Sequence, residues 1–217
     1  MLFGKIEYLN LLPFHIFMKR FLRSTKEKMS MEYKKDVPAK INKEFIYRRV
    51  DAAFISSIRA KNQKHINLGI IARDEVLSVL VIPSQNEIKD KESETSNLLA
   101  KLLGIKGEVL IGDKALRYYL QNKPKIDLAK EWHKKYNLPF VFALLCYHKD
   151  SGFYRRIEKN FLKKEIKIPQ YLLNEASKKT QIPKEAILKY LTHISYNLDT
   201  KAKKGLKKFY KEAKKVK

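Results

Sequence analysis

VLSVLVIP at residues 76–83 and LPFVFALLCY at 138–147 are the two long apolar strand-like runs of the chain, and their spacing decides how the rest is read. Both are dense in aliphatic and β-branched residues without polar alternation, the pattern of strands covered on both faces. Between them, residues 84–137 carry a strand and helices of their own. This layout predicts a two-lobed α/β protein whose chain crosses between lobes twice. Residues 1–75 and 148–217 would form the first lobe, and residues 76–147, with both crossing strands, the second. A ligand would lie in the interlobe cleft, at the ends of the strands.

Working outward from these runs, strand-like and helix-like segments alternate. LFGKIEYL (2–9) reads as a strand, and Pro13 opens a helix with its apolar stripe on Phe14, Phe17, Met18, Phe21 and Leu22. Residues 24–36 read as a loop or a short edge strand. Pro38 starts a helix to about Arg49; DAAFIS (51–56) and NLGIIAR (67–73) are strands. Past the hydrophilic QNEIKDKESE (85–94) come the helix TSNLLAKLLG (95–104), the strand GEVLIG (107–112) and the helix DKALRYYL (113–120). DLAKEWHKKYN (127–137) is a further helix with Asp127 as its N-cap. Everything after Tyr147 reads as helix: Ile187, Leu188, Leu191, Ile194 and Leu198 share one stripe, and Leu206, Phe209, Tyr210 and Ala213 another. The alternation predicts a largely parallel sheet.

The 217 residues carry 47 Lys or Arg against 23 Asp or Glu, a formal charge of +24, which raises the question of nucleic acid. From Arg155 onward there are 19 basic and 6 acidic residues, a net +13, so more than half of the excess lies in the last third. Those lysines occupy the faces opposite the apolar stripes, as on ordinary amphipathic helices. No zinc-finger spacing, RNP-like strand or basic-zipper heptad accompanies them, so no specific nucleic-acid partner is expected. The apolar runs are too short to span a bilayer. With no secretory pattern at the N-terminus and a single cysteine, Cys146, a reducing, cytoplasmic setting is expected.

Common catalytic signatures are missing. There is no GxGxxG, Walker loop or GxSxG, and His15, His65, His133, His148 and His193 are scattered rather than set at metal-ligand spacing. What remains are small polar clusters where strands hand over to helices: Tyr8–Asn10, Ser56–Ser57, Ser93 with Thr95 and Ser96, and Gly112–Asp113. Each alone reads as a helix cap. Together, two per lobe, they describe a cleft lined by hydroxyls, free N–H groups and positive helix ends, suited to carboxylates or phosphates.

EYLNLLPF (7–14), VDAAFISS (50–57), SETSNLL (93–99), IGDKAL (111–116) and DLAKEWHKKYNLPFVFALL (127–145), in this order, resemble the chorismate dehydratase family of the futalosine route to menaquinone. The likeness covers most of residues 1–147 and continues weakly through YLTHISYNLDTKAKKGLKKF. It implies a type II periplasmic-binding-protein fold, chorismate as a dianionic small-molecule partner, and no cofactor or metal. The segment between the Ser/Thr cluster and the GD motif is shorter than the family pattern, so a reduced second lobe is expected.

The resemblance also implies a reaction: loss of water from chorismate to give 3-[(1-carboxyvinyl)oxy]benzoate, drawn forward by aromatisation. Such an enzyme chiefly holds a dianion in the conformation that eliminates. On this reading Ser56 and Ser57 hold one carboxylate, and Thr95 and Ser96, with Ser93 alongside, hold the other. Tyr8 and Gly112 flank the substrate, and Asn10 orients the leaving hydroxyl or the abstracted proton. Asp113 is either a general acid or base, or a cap that fixes its loop. The alternative is a non-catalytic binding protein of the same fold for a small carboxylate.

Overall fold

In the computed structural model, which describes residues 2–163 and 165–216, the chain opens with β1 (Phe3–Lys5), a 3-10 turn (Leu9–Leu11) and α1 (Leu12–Phe21). It continues through α2 (Thr25–Glu32), β2 (Lys34–Lys35), α3 (Pro38–Ile46), β3 (Ala52–Ser56), the single turn α4 (Ser57–Ala60) and β4 (His65–Ala72). The second sheet follows: β5 (Val79–Pro83), α5 (Glu94–Leu103), β6 (Gly107–Ile111), α6 (Gly112–Leu120), β7 (Ile126–Asp127) and α7 (Leu128–Tyr136). The chain then returns as β8 (Phe140–Tyr147) and ends with α8 (Ser151–Phe161), α9 (Gln170–Thr180), α10 (Lys184–Thr192), β9 (Ile194–Asn197) and α11 (Thr200–Ala213).

Two sheets result, ordered β2-β1-β3-β8-β4-β9 and β6-β5-β7. Sequence and structure part company at four places. First, the apolar run 140–147 was expected in the second lobe, but β8 pairs antiparallel with both β3 and β4 in the larger sheet. Its residues are almost all buried, and a run without polar alternation suits a central strand as well as a crossing one. Second, the expected parallel sheet is mixed: β1 runs parallel to β2 and β3, while the other pairs of that sheet and all pairs of the smaller one are antiparallel. The return crossing brings β8 back from the opposite end, which reverses it.

Third, residues 25–32 form a helix. Ser24 and Glu27 make a reciprocal capping box, each side chain bonded to the other's backbone N–H. Met31 is the one side chain that α2 buries, which explains why no apolar stripe announced it. Fourth, the stripe read as continuing to Leu198 stops at Thr192, and Ile194–Asn197 pairs with β4 as the sheet edge. Ile194 and Leu198 are buried all the same, by the strand and the bend after it.

The core is continuous. Phe14 of α1 meets Phe54 edge-on at 4.9 Å and Phe161 of α8 at 5.4 Å. Phe209 of the lysine-rich α11 packs on Phe140 of β8 at 5.0 Å, and Trp132 of α7 completes that cluster. The helix approaches closely because Gly205 faces the Pro139 carbonyl, where a Cβ would come within 2.1 Å.

At the outbound crossing Leu77 has φ +61°, a left-handed conformation that costs a non-glycine residue about 1–2 kcal/mol. It is held by the buried Asp127, whose Oδ2 accepts from the N–H groups of Val76 (3.0 Å) and Leu77 (2.7 Å). Oδ1 of the same carboxylate caps α7, accepting from Ala129 and Lys130 at 3.0 and 3.1 Å. The N-cap expected from sequence is present, and it also pins the crossing.

Candidate functional site

A cavity of about 80 Å³ lies between the two sheets. Its polar wall carries Tyr8, Asn10, Ser56, Ser78, Ser93, Ser96 and Gly112; its apolar floor includes Phe54, Ile70 and Phe142. Strand ends and helix starts converge here because a strand-to-helix handover leaves N–H groups without intrahelical partners. The first residues of α3, α5 and α6 all reach the cavity through Pro38, Ser93, Ser96 and Gly112. Their dipoles supply positive potential, and no lysine or arginine is among the lining residues.

Six of the nine sequence-derived site residues meet in this wall: Tyr8, Asn10, Ser56, Ser93, Ser96 and Gly112. Ser56 is clamped by Asn42 of α3, whose amide nitrogen donates to Ser56 Oγ (2.9 Å) while its Oδ1 accepts from Ser56 N (3.1 Å). Ser93 caps α5, accepting from Ser96 N at 3.1 Å and donating to Ser96 Oγ at 2.8 Å. Gly112 has φ +66°, and a Cβ there would come within 2.7 Å of the Tyr8 ring. The absence of a side chain therefore seats the aromatic ring and permits the backbone conformation together.

The other three lie behind the wall. Ser57 is fully buried and donates to the Val141 carbonyl at 2.5 Å. Thr95 Oγ1 accepts from Ile58 N at 3.2 Å, tying α5 to α4. Asp113 Oδ1 accepts from Leu9 N at 3.1 Å, and burial pushes its carboxyl up to about 6. Tyr8 donates its hydroxyl to Glu92, and burial together with that carboxylate raises the phenol far above its ordinary range. Arg59 adds a bidentate ion pair to Glu94, with Nε to Oε2 at 2.6 Å. Apart from the Ser57 bond, these contacts tie the turn after β1 and α4 to α5, α6 and the loop before α5, across the cleft.

Four contributors escaped sequence reading. Ser78 had a visible signal, a lone hydroxyl inside the apolar run VLSVLVIP. Asn42, 6% exposed beside the Ile41–Phe45 stripe, is a buried amide in an amphipathic helix. Tyr190 and Tyr196 belong to the C-terminal third and had none. The Tyr190 hydroxyl lies 2.9 Å from Ser78 Oγ, and the Tyr196 hydroxyl donates to the Asn10 carbonyl at 2.8 Å. Among the described residues no three His, Cys, Asp or Glu side chains converge as a metal site, and no helix is long and apolar enough to cross a membrane.

Comparison with known proteins bears on this cleft. A family profile described as "Menaquinone biosynthesis" matches residues 1–107 and 103–215. A curated chorismate dehydratase of Campylobacter jejuni is 47% identical over 218 residues, covering 99% of this chain and 98% of that protein. A match of that extent leaves no room in the relative for a longer second lobe, so the small second sheet is no departure from it. Among solved structures, a protein of Archaeoglobus fulgidus superposes with a TM-score of 0.66 at 13% identity, covering 99% of this chain and 96% of its own. The periplasmic aliphatic sulphonate binding protein of Escherichia coli gives 0.54 at 14%, covering 97% and 86%. At such identities the likeness concerns the fold, which is that of the periplasmic binding proteins.

Proposed function

The chain belongs to the menaquinone biosynthesis family, and from that premise we propose that its interlobe cavity is the site at which chorismate loses water, making the protein a hydro-lyase. The observation that carries this reading is the wall itself: hydroxyls, an amide and three helix starts around an apolar floor, with no carboxylate or imidazole among the lining side chains. A ring dianion would find neutral donors for its carboxylates, with the carboxylates of Glu92 and Asp113 set behind the wall rather than in it.

In the proposed arrangement Ser56, locked by Asn42, receives one carboxylate. Ser93, Ser96 and the start of α5 receive the other. Asn10 faces the reacting carbon and orients the departing hydroxyl. Elimination removes a ring proton and the neighbouring hydroxyl, which leaves as water while the ring becomes aromatic. The phenol of Tyr8 commits its hydrogen to Glu92 and is held neutral, so it is a poor base. The enolpyruvyl carboxylate of the substrate is then the group placed to take the ring proton and pass it to the departing hydroxyl, and the protein contributes positioning. At 80 Å³ the cavity is well below the roughly 300–1,000 Å³ of ordinary small-molecule pockets. On this reading the lobes part about the crossings at 73–78 and 137–139 to admit substrate.

Purified protein incubated with chorismate should consume the cyclohexadiene and release the benzoate ether at equal rates. Unchanged chorismate, or binding without turnover, overturns the reading. Asn10→Ala should lower turnover by about 10²–10³-fold, the usual cost of one oriented polar group at a reaction centre, while the melting temperature stays within a few degrees. An analogue lacking the enolpyruvyl carboxylate should bind and fail to react.

A further inference from the structure

The C-terminal third lies outside most of the family-like motifs, yet it reaches the back of Asn10 twice. From β9, the Tyr196 hydroxyl donates to the Asn10 carbonyl at 2.8 Å. From α10, Tyr190, only 2% exposed, places its hydroxyl 2.9 Å from Ser78 Oγ, close to the Asn10 side chain. Asn10 and Ser78 both line the cavity; Tyr190 does not. Asn10 stands in the 3-10 turn after β1 and Ser78 at the entrance to the smaller sheet, so one phenol bridges the two walls from behind.

We propose that Tyr190 is a positioning residue for the dehydration, fixing the orientation of the Asn10 amide and the Ser78 hydroxyl across the crossing. A phenol has a single hydrogen and accepts through its remaining lone pairs. Buried away from water, it bonds to the groups at hand. An amide offers donors at one end and an acceptor at the other, so rotating Asn10 by half a turn exchanges what it presents to Tyr190 and, equally, what it presents to the cavity. A phenol that gives its hydrogen to Ser78 Oγ has only lone pairs left for Asn10, and so selects the amide orientation that donates to it. Donating to Ser78 Oγ would likewise free the serine hydrogen to point into the cleft. Burial raises the phenol well above its ordinary range, so it keeps its hydrogen throughout the working pH. Tyr196 fixes the backbone of the same residue, leaving the side chain as the part Tyr190 must orient.

This inference rests on the proposed dehydration with Asn10 at its centre, and its test separates the two. Tyr190→Phe removes one oxygen and keeps the ring. It should lower kcat about 10- to 100-fold with KM changed less than about threefold. Placed on Asn10→Ala combined with Ser78→Ala, it should cost less than about twofold more, because both groups it orients are gone. Wild-type protein that leaves chorismate intact overturns both readings. Active wild type with Tyr190→Phe within twofold of it overturns this one alone, as does a full additional loss in the doubly substituted background. If Tyr190→Phe does not fold, the wild type still decides. With ¹⁵N-asparagine, the Asn10 side-chain amide, assigned through Asn10→Ala, should show slowed hydrogen exchange. Exchange at the rate of a free asparagine overturns the inference.

Discussion

Leu9 donates its amide hydrogen to Asp113, so the protonation state of that carboxylate reaches Asn10 through a single residue of backbone. Burial lifts Asp113 from 3.8 to about 6, and the consequences for stability and activity have opposite sign. A carboxyl whose pKa is higher in the folded state takes up its proton preferentially there. Its contribution to stability is therefore greatest below pH 3.8 and is lost as pH rises towards 6. Turnover should move the other way: the ionised carboxylate is the better acceptor for Leu9, so the Asn10 turn is held best above pH 6. An acid limb near pH 6 in kcat, flattened in Asp113→Asn, is the expected profile. The two serines after β3 should separate as well. Ser57→Ala strands the buried Val141 carbonyl and should cost about 1–3 kcal/mol in denaturant unfolding with kinetics preserved, whereas Ser56→Ala should raise KM. At this scale the residues named from sequence divide: Tyr8, Asn10, Ser56, Ser93, Ser96 and Gly112 line the cavity, and the others turn away from it. Ser57, Thr95 and Asp113 adjoin cavity residues in the chain, and only the local turn of backbone decides whether a hydroxyl points into a cleft or at a neighbouring strand.

Elements were legible where an apolar pattern met a terminus signal. Pro38 marked α3, and Asp127 marked α7. The helix α2 buries only Met31, so its polar sequence reads as a loop or short edge strand, and its start rests on the capping box of Ser24 and Glu27. Strand β9 was hidden because Ile194 and Leu198 fall at helical spacing from Leu191, and two residues of chain cannot show which partner they pair with. Pairing direction was hidden for a similar reason, since register between β8 and its neighbours is a property of residues about 70 to 95 positions apart. Among these elements, the crossing held by Asp127 is the most exposed to a single change. Asp127→Ala removes the cap of α7 and both bonds to residues 76 and 77. It should lower stability by at least about 2 kcal/mol, with the smaller sheet showing faster hydrogen exchange than the larger one.

Across the molecule, the +24 charge is distributed over helix faces rather than gathered at the cavity, which no lysine or arginine lines. Its effect on a dianionic substrate is a field felt at a distance, screened over about 8–10 Å at physiological salt. kcat/KM should therefore fall as salt rises from about 20 to 500 mM while kcat holds, and a flat response would remove the field from the account. The lobes are joined near the surface by the Arg59–Glu94 pair, with both side chains about half exposed. Such a pair contributes at most about 1 kcal/mol to stability, so Arg59→Ala should leave unfolding nearly unchanged.

The position of β8 carries a consequence for how the protein is made. In the order β2-β1-β3-β8-β4-β9 the middle of the larger sheet is occupied by residues 140–147. During synthesis β3 and β4 leave the ribosome long before the strand that joins them, each with a flank of unpaired backbone. The smaller sheet, whose strands lie between residues 79 and 127, has all its partners first. It can be completed while the larger sheet, with only β2-β1-β3 able to pair, still waits for its middle strand. Until residue 147 emerges, the nascent first lobe presents two open strand edges, the condition under which chaperones are recruited and chains associate.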